Sequence, residues 1–322
     1  MQLPLTRDSV TIERSDGFPA LLGSGSSVDQ PRVEANVADG GRAGLVADFP
    51  ENGGEEARYR THRRFDRAAR LFGEPGLHRL MGSRVLVIGV GGVGSFAAEA
   101  LARSGVGTLV LVDFDRVCVT NTNRQLHAMQ GTIGKHKVEV MAERLRLVHP
   151  TGKVEAQPQF YNESTSEQLL SGRVDFVVDA IDNLSAKAHL IATCLRLHLP
   201  IVSSMGAAAR LDPTALRVAD LSETYSDPFA SALRKILRTK HELEFSRTAP
   251  LGVTAVFSTE PAMPPSPPSY DQGAGFRCVC PGGKNGMHDC DKRARIDGSA
   301  AFVTGAFGLA AASVVVRTLT GR

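Results

Sequence analysis

The sequence contains no tryptophan, and only 6% of its 322 residues are aromatic. Proteins that bind single-stranded nucleic acids stack the bases on aromatic side chains, and this composition gives no sign of such a platform. The net charge is only +3. That balance neither requires nor excludes a nucleic-acid partner, so any basic patch has to be found locally.

Cysteine is also scarce, with five in the chain. An odd, small number in a chain of this length argues against a disulfide scaffold and favours a reducing compartment. The N-terminus shows no basic segment followed by an apolar one, so no secretory signal is expected. We therefore predict a cytoplasmic protein.

One stretch is long and apolar enough to resemble a membrane span. Residues 298–316 carry no charge, and a span needs about 18–20 apolar residues. However, glycine, serine and threonine dilute this stretch, and alanine dominates it. We expect a buried helix and no membrane association.

The chain divides into two parts by its pattern. Residues 1–57 are rich in Gly, Ser, Asp and Glu without sustained periodicity, which predicts a disordered arm. Over 58–322, short apolar runs alternate with amphipathic segments, which predicts βαβ units: a Rossmann-like α/β fold with a mostly parallel sheet and helices on both faces. The pattern changes after Asp212, and we interpret the remainder as a C-terminal extension of the same domain.

Glycines follow the first apolar run in the spacing G-x-G-x-x-G: Gly89, Gly91 and Gly94, with Gly92 between them. Glycine permits the tight turn and lets the backbone approach a phosphate, and the amides at the start of the next helix carry partial positive charge. Asp113 ends the next predicted strand, where a carboxylate can accept ribose hydroxyls. The motif predicts a nucleotide site but does not distinguish NAD or FAD from ATP.

Cations and amides follow that second strand, in residues 117–137. A dinucleotide reductase needs no cation beyond the pyrophosphate, whereas a nucleotidyl-transfer enzyme must hold a triphosphate and stabilise its leaving group. Arg124 offers bidentate donors and Lys137 a point charge. A solvated loop and helix face is the alternative, which we expect for His127 and Lys135. The neutral donors are Asn121, Asn123 and Gln125.

Acidic and amide side chains also follow a third buried run, at Asp179, Asp182 and Asn183. Carboxylates at a strand terminus beside a phosphate loop are suited to Mg²⁺, which keeps few protein ligands. Capping of the next helix by Asp182 or Asn183 is the alternative. We expect Asp182 to bind Mg²⁺ and Asn183 to lie beside the nucleotide.

Together these segments resemble the ubiquitin-activating-enzyme-like adenylating superfamily, and within it the tRNA threonylcarbamoyladenosine dehydratases. The likeness covers about residues 64–320. The segments that carry it are VIGVGGVGS, LVDFDRV, TNTNRQ, GKHKVEVM and VVDAIDN at the nucleotide site, and RFDRAARLFG, DLSETYSDPFASALRKIL and VFSTE elsewhere.

The resemblance implies an adenylate-forming ligase that uses ATP and Mg²⁺. The substrate would be the carboxylate of the threonylcarbamoyl group on the adenosine beside the anticodon of tRNA. Attack from within the same group then closes a ring, with loss of water and without a protein nucleophile. The resemblance also implies a homodimer, and a sulfur-relay partner is a further expectation.

The resemblance assigns roles residue by residue. Asp113 would bind the ribose, and Asp182 would bind Mg²⁺. An arginine of the partner subunit would reach the triphosphate, with Arg67 the expected candidate and Arg64 the second. The remaining nucleotide contacts would be Gly89, Gly91, Gly92, Gly94, Asp115, Asn121, Asn123, Arg124, Gln125, Lys137 and Asn183.

The segment CVCPGGKNGMHDC gathers three cysteines and a histidine. Carrier-adenylating relatives often bind zinc through two C-x-x-C pairs, which are absent here, although a Cys₃His set is one that zinc accepts. We expect free thiols, with zinc as the alternative. The residues concerned are Cys278, Cys280, His288 and Cys290.

The main alternative function is adenylation of the C-terminus of a ubiquitin-like sulfur carrier. Formation of a thioester would need a reactive cysteine beyond Asp182, and we expect Cys118 and Cys194 to be packing residues. An NAD-dependent reductase would leave the cations after the second strand without a role. The same charges argue against an inactive scaffold.

A basic helix is predicted after the sheet-forming segments. Arg234 and Arg238 lie four residues apart on it. This spacing suits phosphate contacts of tRNA or a solvated surface equally.

Overall fold

We describe the chain from a computed structural model that covers residues 55–266 and 296–322. Residues 1–54 of the predicted arm lie outside the described part of the chain. Within the described residues the first helix begins at Glu55, and the domain boundary at residue 58 stays a prediction. The cysteine-rich segment, expected to carry free thiols with zinc binding as the alternative, lies outside the described residues, with Cys278, Cys280, His288 and Cys290.

One sheet of seven strands organises the described residues. The strands are β1 (Arg84–Ile88), β2 (Thr108–Val112), β3 (Lys153–Gln157), β4 (Phe176–Asp179), β5 (Ile201–Ser204), β6 (Leu216–Asp220) and β7 (Thr254–Ser258). Their order is β3-β2-β1-β4-β5-β7-β6, and neighbours are parallel except for the antiparallel pair β6–β7. This confirms the predicted α/β, mostly parallel fold.

Helices cover both faces of the sheet, which explains why its central strands are apolar throughout. The helices are α1 (Glu55–Arg64), α2 (Asp66–Phe72), α3 (Glu74–Met81), α4 (Gly94–Arg103), α5 (Lys137–Val148), α6 (Glu163–Leu170), α7 (Leu184–Arg196), α8 (Pro228–Lys240) and α9 (Ala301–Thr320). In β1, Val85 and Val87 pack into one core with α4, α5 and α9, while Leu86 and Ile88 pack into the other with α7 and α8.

Helix α9 is long and apolar enough to cross a membrane by length and composition, but 56% of its most apolar window is buried within the protein. It packs most closely against α4. A Cβ added at Gly308 would lie only 2.3 Å from the carbonyl oxygen of Val93, so glycine is required for this approach. The packing agrees with our expectation of a buried core helix.

Candidate nucleotide-binding site

The predicted site residues gather at one edge of the sheet because strands β1, β2 and β4 are parallel neighbours. Ile88 at the end of β1 is aligned with Val112 of β2 and with Asp179 of β4. The loops that follow these three strands therefore meet where ligands bind in open α/β sheets.

The glycine turn after β1 depends on two of its glycines for the fold itself. Gly89 has a φ of +89°, and a Cβ there would lie 2.6 Å from the carbonyl oxygen of Ala180. A Cβ at Gly94 would lie 1.8 Å from the oxygen of Gly89. Gly91 differs, since its added Cβ would have only the Gln125 Nε2 atom within 4 Å, at 3.9 Å. At Gly91 there is therefore open space beside the backbone of the turn.

The carboxylate of Asp113 holds this turn in place. One oxygen accepts from the Val90 amide at 2.7 Å and the other from the Asp115 amide at 2.9 Å. Burial raises the pKa of Asp113, and the positive charge of Lys137 only partly offsets this. Each oxygen keeps a second acceptor site, so contact with a ribose remains compatible with this structural role.

Lys137 begins helix α5 and is buried at the same edge. Its Nζ lies 2.8 Å from Asp115 Oδ2. Burial opposes the charged form, but Asp113 and Asp115, with a contribution from Asp182, outweigh it and raise the pKa of Lys137. The lysine therefore stays positively charged and lies within the electrostatic reach of the loops after β2 and β4.

The loop after β2 is closed by its own side chains. Asn121 Oδ1 accepts from the Cys118 amide at 2.9 Å. Arg124 Nη1 donates to the Thr120 carbonyl at 3.0 Å and to Asn123 Oδ1 at 2.9 Å. These bonds fix the guanidinium in a defined position.

The same loop also contacts the glycine turn and the segment before α9. A Cβ at Gly92 would lie 3.2 Å from Arg124 Cγ and 3.1 Å from Thr304 Oγ1. Asn123 Nδ2 donates to the Ser299 carbonyl at 2.8 Å. The structure thus brings Arg124 beside the glycine turn, as the predicted triphosphate site requires.

Gln125 and His127 lie inside this loop, and both are buried. Our expectation that His127 is a solvated surface residue was wrong, because it is fully buried and its Nε2 lies 3.1 Å from Gln125 Oε1. Burial, together with the charge of Lys137, lowers the pKa of His127 to about 3. Lys135 is exposed, as expected.

The polar residues in the loop after β4 have different roles. Asn183 Oδ1 accepts from the Ser185 amide at 3.1 Å and from the Ala186 amide at 3.0 Å, so its oxygen caps α7. Asp182 is exposed and its charge acts on Lys137. An exposed carboxylate that leaves room for phosphate oxygens and water is the kind of ligand that Mg²⁺ takes in proteins, so Asp182 fits that ion.

Asp179 does not share this role, which corrects its grouping with Asp182. It is fully buried and pairs with Lys187 Nζ at 2.7 Å, while Ser203 Oγ donates to it at 2.6 Å. Sequence reasoning missed Lys187. A signal was present, because Lys187, Ile191 and Cys194 follow the i, i+4, i+7 spacing of one buried helix face.

Arg64, the second candidate for the arginine expected from the partner subunit, lies away from this site within one chain. Arg64 Nη1 donates to the Val148 carbonyl at 3.2 Å, at the last residue of α5, whereas Lys137 is its first residue. At 1.5 Å per residue the two ends are separated by about 16 Å. Arg67 is exposed on α2.

Cys194 is buried, and burial raises the pKa of its thiol to about 12. This environment suits a packing residue and not a nucleophile.

The predicted basic helix is α8. Its Arg234 donates to the Thr224 carbonyl at 3.0 Å, and its Arg238 stacks on the Phe245 ring at 4.2 Å. Both arginines therefore hold α8 in place.

Comparison with known proteins places the chain among enzymes. A family model described as the ThiF family matches residues 65–322. The chain is 40% identical over 259 residues to the tRNA threonylcarbamoyladenosine dehydratase of Escherichia coli, covering 80% of this chain and 94% of that protein. It is 47% identical over 196 residues to the dehydratase of Bacillus subtilis, covering 61% of this chain and 74% of that protein.

A solved structure agrees with these sequence matches. The crystal structure of the E. coli dehydratase in complex with ATP superposes with a TM-score of 0.69 at 38% identity, covering 81% of this chain and 95% of that one.

Proposed function

Since the chain belongs to the ThiF family, we propose that it catalyses the ATP-dependent dehydration of N6-threonylcarbamoyladenosine in tRNA. The observation that carries the proposal is that Arg124 lies beside the glycine turn, while the buried, charged Lys137 is paired with Asp115 in the loop after the neighbouring strand β2. The matches to dehydratases over most of the chain support the choice of substrate.

The reaction proceeds in two balanced steps. A carboxylate oxygen of the substrate attacks the α-phosphorus of ATP, and the bond to the β-phosphate oxygen breaks to release pyrophosphate. The neighbouring carbamoyl group then attacks the activated carbonyl carbon and loses a proton. AMP leaves with the former carboxylate oxygen, so the nucleoside loses one water in total.

The residues of this chain serve the first step through charge and position. Lys137 and Arg124 offset the negative charge that develops on the leaving pyrophosphate. Asp182 would hold Mg²⁺, which would supply further positive charge to the triphosphate. The second step is intramolecular, and its high effective molarity removes the need for a protein nucleophile, in keeping with the buried thiol of Cys194.

The working unit is a cytoplasmic homodimer in which Arg67 of one subunit reaches the triphosphate of the other. The position of Arg64, three residues before Arg67, supports this, since its guanidinium lies at the C-terminal end of α5, about 16 Å from Lys137 within one chain. Mixing Arg67→Ala protein with Lys137→Ala protein tests it. Activity should return in the mixture because one site of each heterodimer is intact; a mixture as inactive as its parts would contradict it.

The defining experiment measures the mass of the nucleoside. The protein is incubated with ATP and with tRNA that carries threonylcarbamoyladenosine, and loss of one water is expected together with AMP. Arg124→Ala should lower this activity by about 100-fold, whereas Arg116→Ala, in the same loop but with its guanidinium bonded to the Gly134 carbonyl, should retain it. An unchanged nucleoside, with AMP formed only when a sulfur carrier protein is added, would instead identify a carrier adenylyltransferase.

A further inference from the structure

We propose that His127 is a positioning residue for nucleotide binding, which holds the Gln125 side chain with its amide group turned towards the glycine turn. The proposal rests on the proposed function only in taking the ligand at this turn to be the phosphates of ATP.

His127, Gln125 and Gly91 lie next to one another in that order. His127 is fully buried, and its Nε2 lies 3.1 Å from Gln125 Oε1. The opposite end of the same amide, Gln125 Nε2, lies 3.9 Å from the position of a Cβ on Gly91. Among the described residues, no other side chain or distant backbone atom lies within 4 Å of that Cβ position, so the amide group borders the open side of the turn.

The tautomer of His127 follows from its surroundings. A neutral imidazole carries one N–H, and Nδ1 is buried with no hydrogen-bond partner among the described residues. A proton on Nδ1 would be a buried donor with nothing to bond, which is costly. A proton on Nε2 instead donates to Gln125 Oε1 and leaves Nδ1 as an acceptor.

This hydrogen bond fixes the orientation of the Gln125 amide. If the amide rotated by half a turn, its NH₂ group would face the N–H of His127, and both donors would be unsatisfied. The bonded orientation aims two N–H groups at the turn, where they add neutral donors beside Lys137 and Arg124. Because the low pKa keeps the ring neutral, this arrangement does not change across the physiological pH range.

The decisive experiment compares ligands with and without phosphates. His127→Phe keeps a ring of similar size but removes the donor. We expect affinity for ATP to fall by about tenfold, the value of one hydrogen bond to a charged group, while affinity for adenosine stays unchanged. An equal loss for both ligands would show that His127 only supports the fold and would overturn the proposal.

A double-mutant cycle separates positioning from packing. In a Gln125→Ala background, His127→Phe should cause little further loss of ATP affinity, because the group that it orients is gone. Equal losses in the two backgrounds would contradict the proposal. These measurements need no tRNA, so they can succeed even if the nucleoside is not dehydrated.

A second measurement uses the unmodified protein and avoids any question of misfolding. The ¹⁵N chemical shifts of the His127 ring report which nitrogen carries the proton. We expect the Nε2–H tautomer at neutral pH, with and without ATP. A proton on Nδ1 would overturn the proposed orientation of Gln125.

Discussion

Two lysines are buried beside aspartates at the ends of the strands that flank β1, and their surroundings differ. Lys137 is 6% exposed and lies in reach of Asp113, Asp115 and Asp182, which raise its pKa. Lys187 is 0% exposed, and burial lowers its pKa in spite of Asp179. The first lysine therefore keeps a firm positive charge at the open edge of the sheet, whereas the second is enclosed with its partner. A buried lysine can thus remain available to a ligand or form part of the protein core, depending on the charged groups around it.

Loss of the enclosed lysine should have the largest effect, and it should be on stability. Lys187→Met leaves Asp179 buried without its cation, which should lower the free energy of unfolding by about 3–5 kcal/mol. Urea denaturation measures this, with Lys235→Met on the exposed side of α8 as the control. Adding Asp179→Asn should recover most of the loss, and a small loss in the single variant would remove the contrast between the two lysines.

Loss of the edge lysine should act mainly on catalysis. Lys137→Met removes the cation that we propose offsets the charge of the leaving pyrophosphate, and formation of AMP should fall by at least about 100-fold. The matched control is Lys135→Met, because Lys135 is exposed two residues earlier in the chain. If Lys137→Met instead unfolded the protein as strongly as Lys187→Met, the two lysines would be equivalent and the comparison would fail.

Acid should destabilise the protein through two buried histidines, one at the site and one at the opposite end of α5. Folding lowers the pKa of His127 from 6.5 to about 3 and that of His149 from 6.5 to about 4. Between these values the unfolded chain binds protons that the folded chain does not, so stability falls as pH drops from 6.5. Each histidine contributes a slope of up to about 1.4 kcal/mol per pH unit.

Chemical denaturation at pH 7, 6 and 5 measures this slope. His149→Phe should reduce it, whereas His78→Phe, on the exposed side of α3, serves as the control. An unchanged slope in His149→Phe would show that this histidine is protonated in the folded protein.

The smallest expected effect concerns two adjacent residues in the loop after β4, whose substitutions should have different consequences. Asn183→Ala removes the cap of α7 and should lower stability by about 1 kcal/mol. Asp182→Ala leaves that cap in place and should instead raise the Mg²⁺ concentration needed for half-maximal activity. Thermal unfolding and a Mg²⁺ titration on both variants give the comparison, and an equal Mg²⁺ shift in the two variants would assign Asn183 to the site.

The fold was predictable because the central strands β1, β2 and β4 are apolar on both faces and each stops at a glycine or an acid. The antiparallel pairing of β6 and the short helix α6 were not anticipated. Helix α6 has little apolar periodicity and depends on its cap, in which Asn162 Oδ1 accepts from the Thr165 amide at 3.0 Å. Local polar contacts of this kind leave a weak signal in the sequence.

The site was only partly predictable for a similar reason. Glycine spacing and cations identify a phosphate loop because the ligand itself demands them. The sequence does not show which carboxylate is enclosed, so Asp179 and Asp182 were grouped together. It also does not show that His127 is buried, since that depends on the conformation of the loop after β2.

The contact between the loop after β2 and the segment just before α9 has a consequence for folding kinetics. Asn123 and Ser299 are 176 residues apart in the chain and yet share a hydrogen bond. Closing so long a loop is slow in comparison with forming local helices or adjacent strands. A refolding chain should therefore regain its helical signal before it can capture a nucleotide, with a lag set by the arrival of α9.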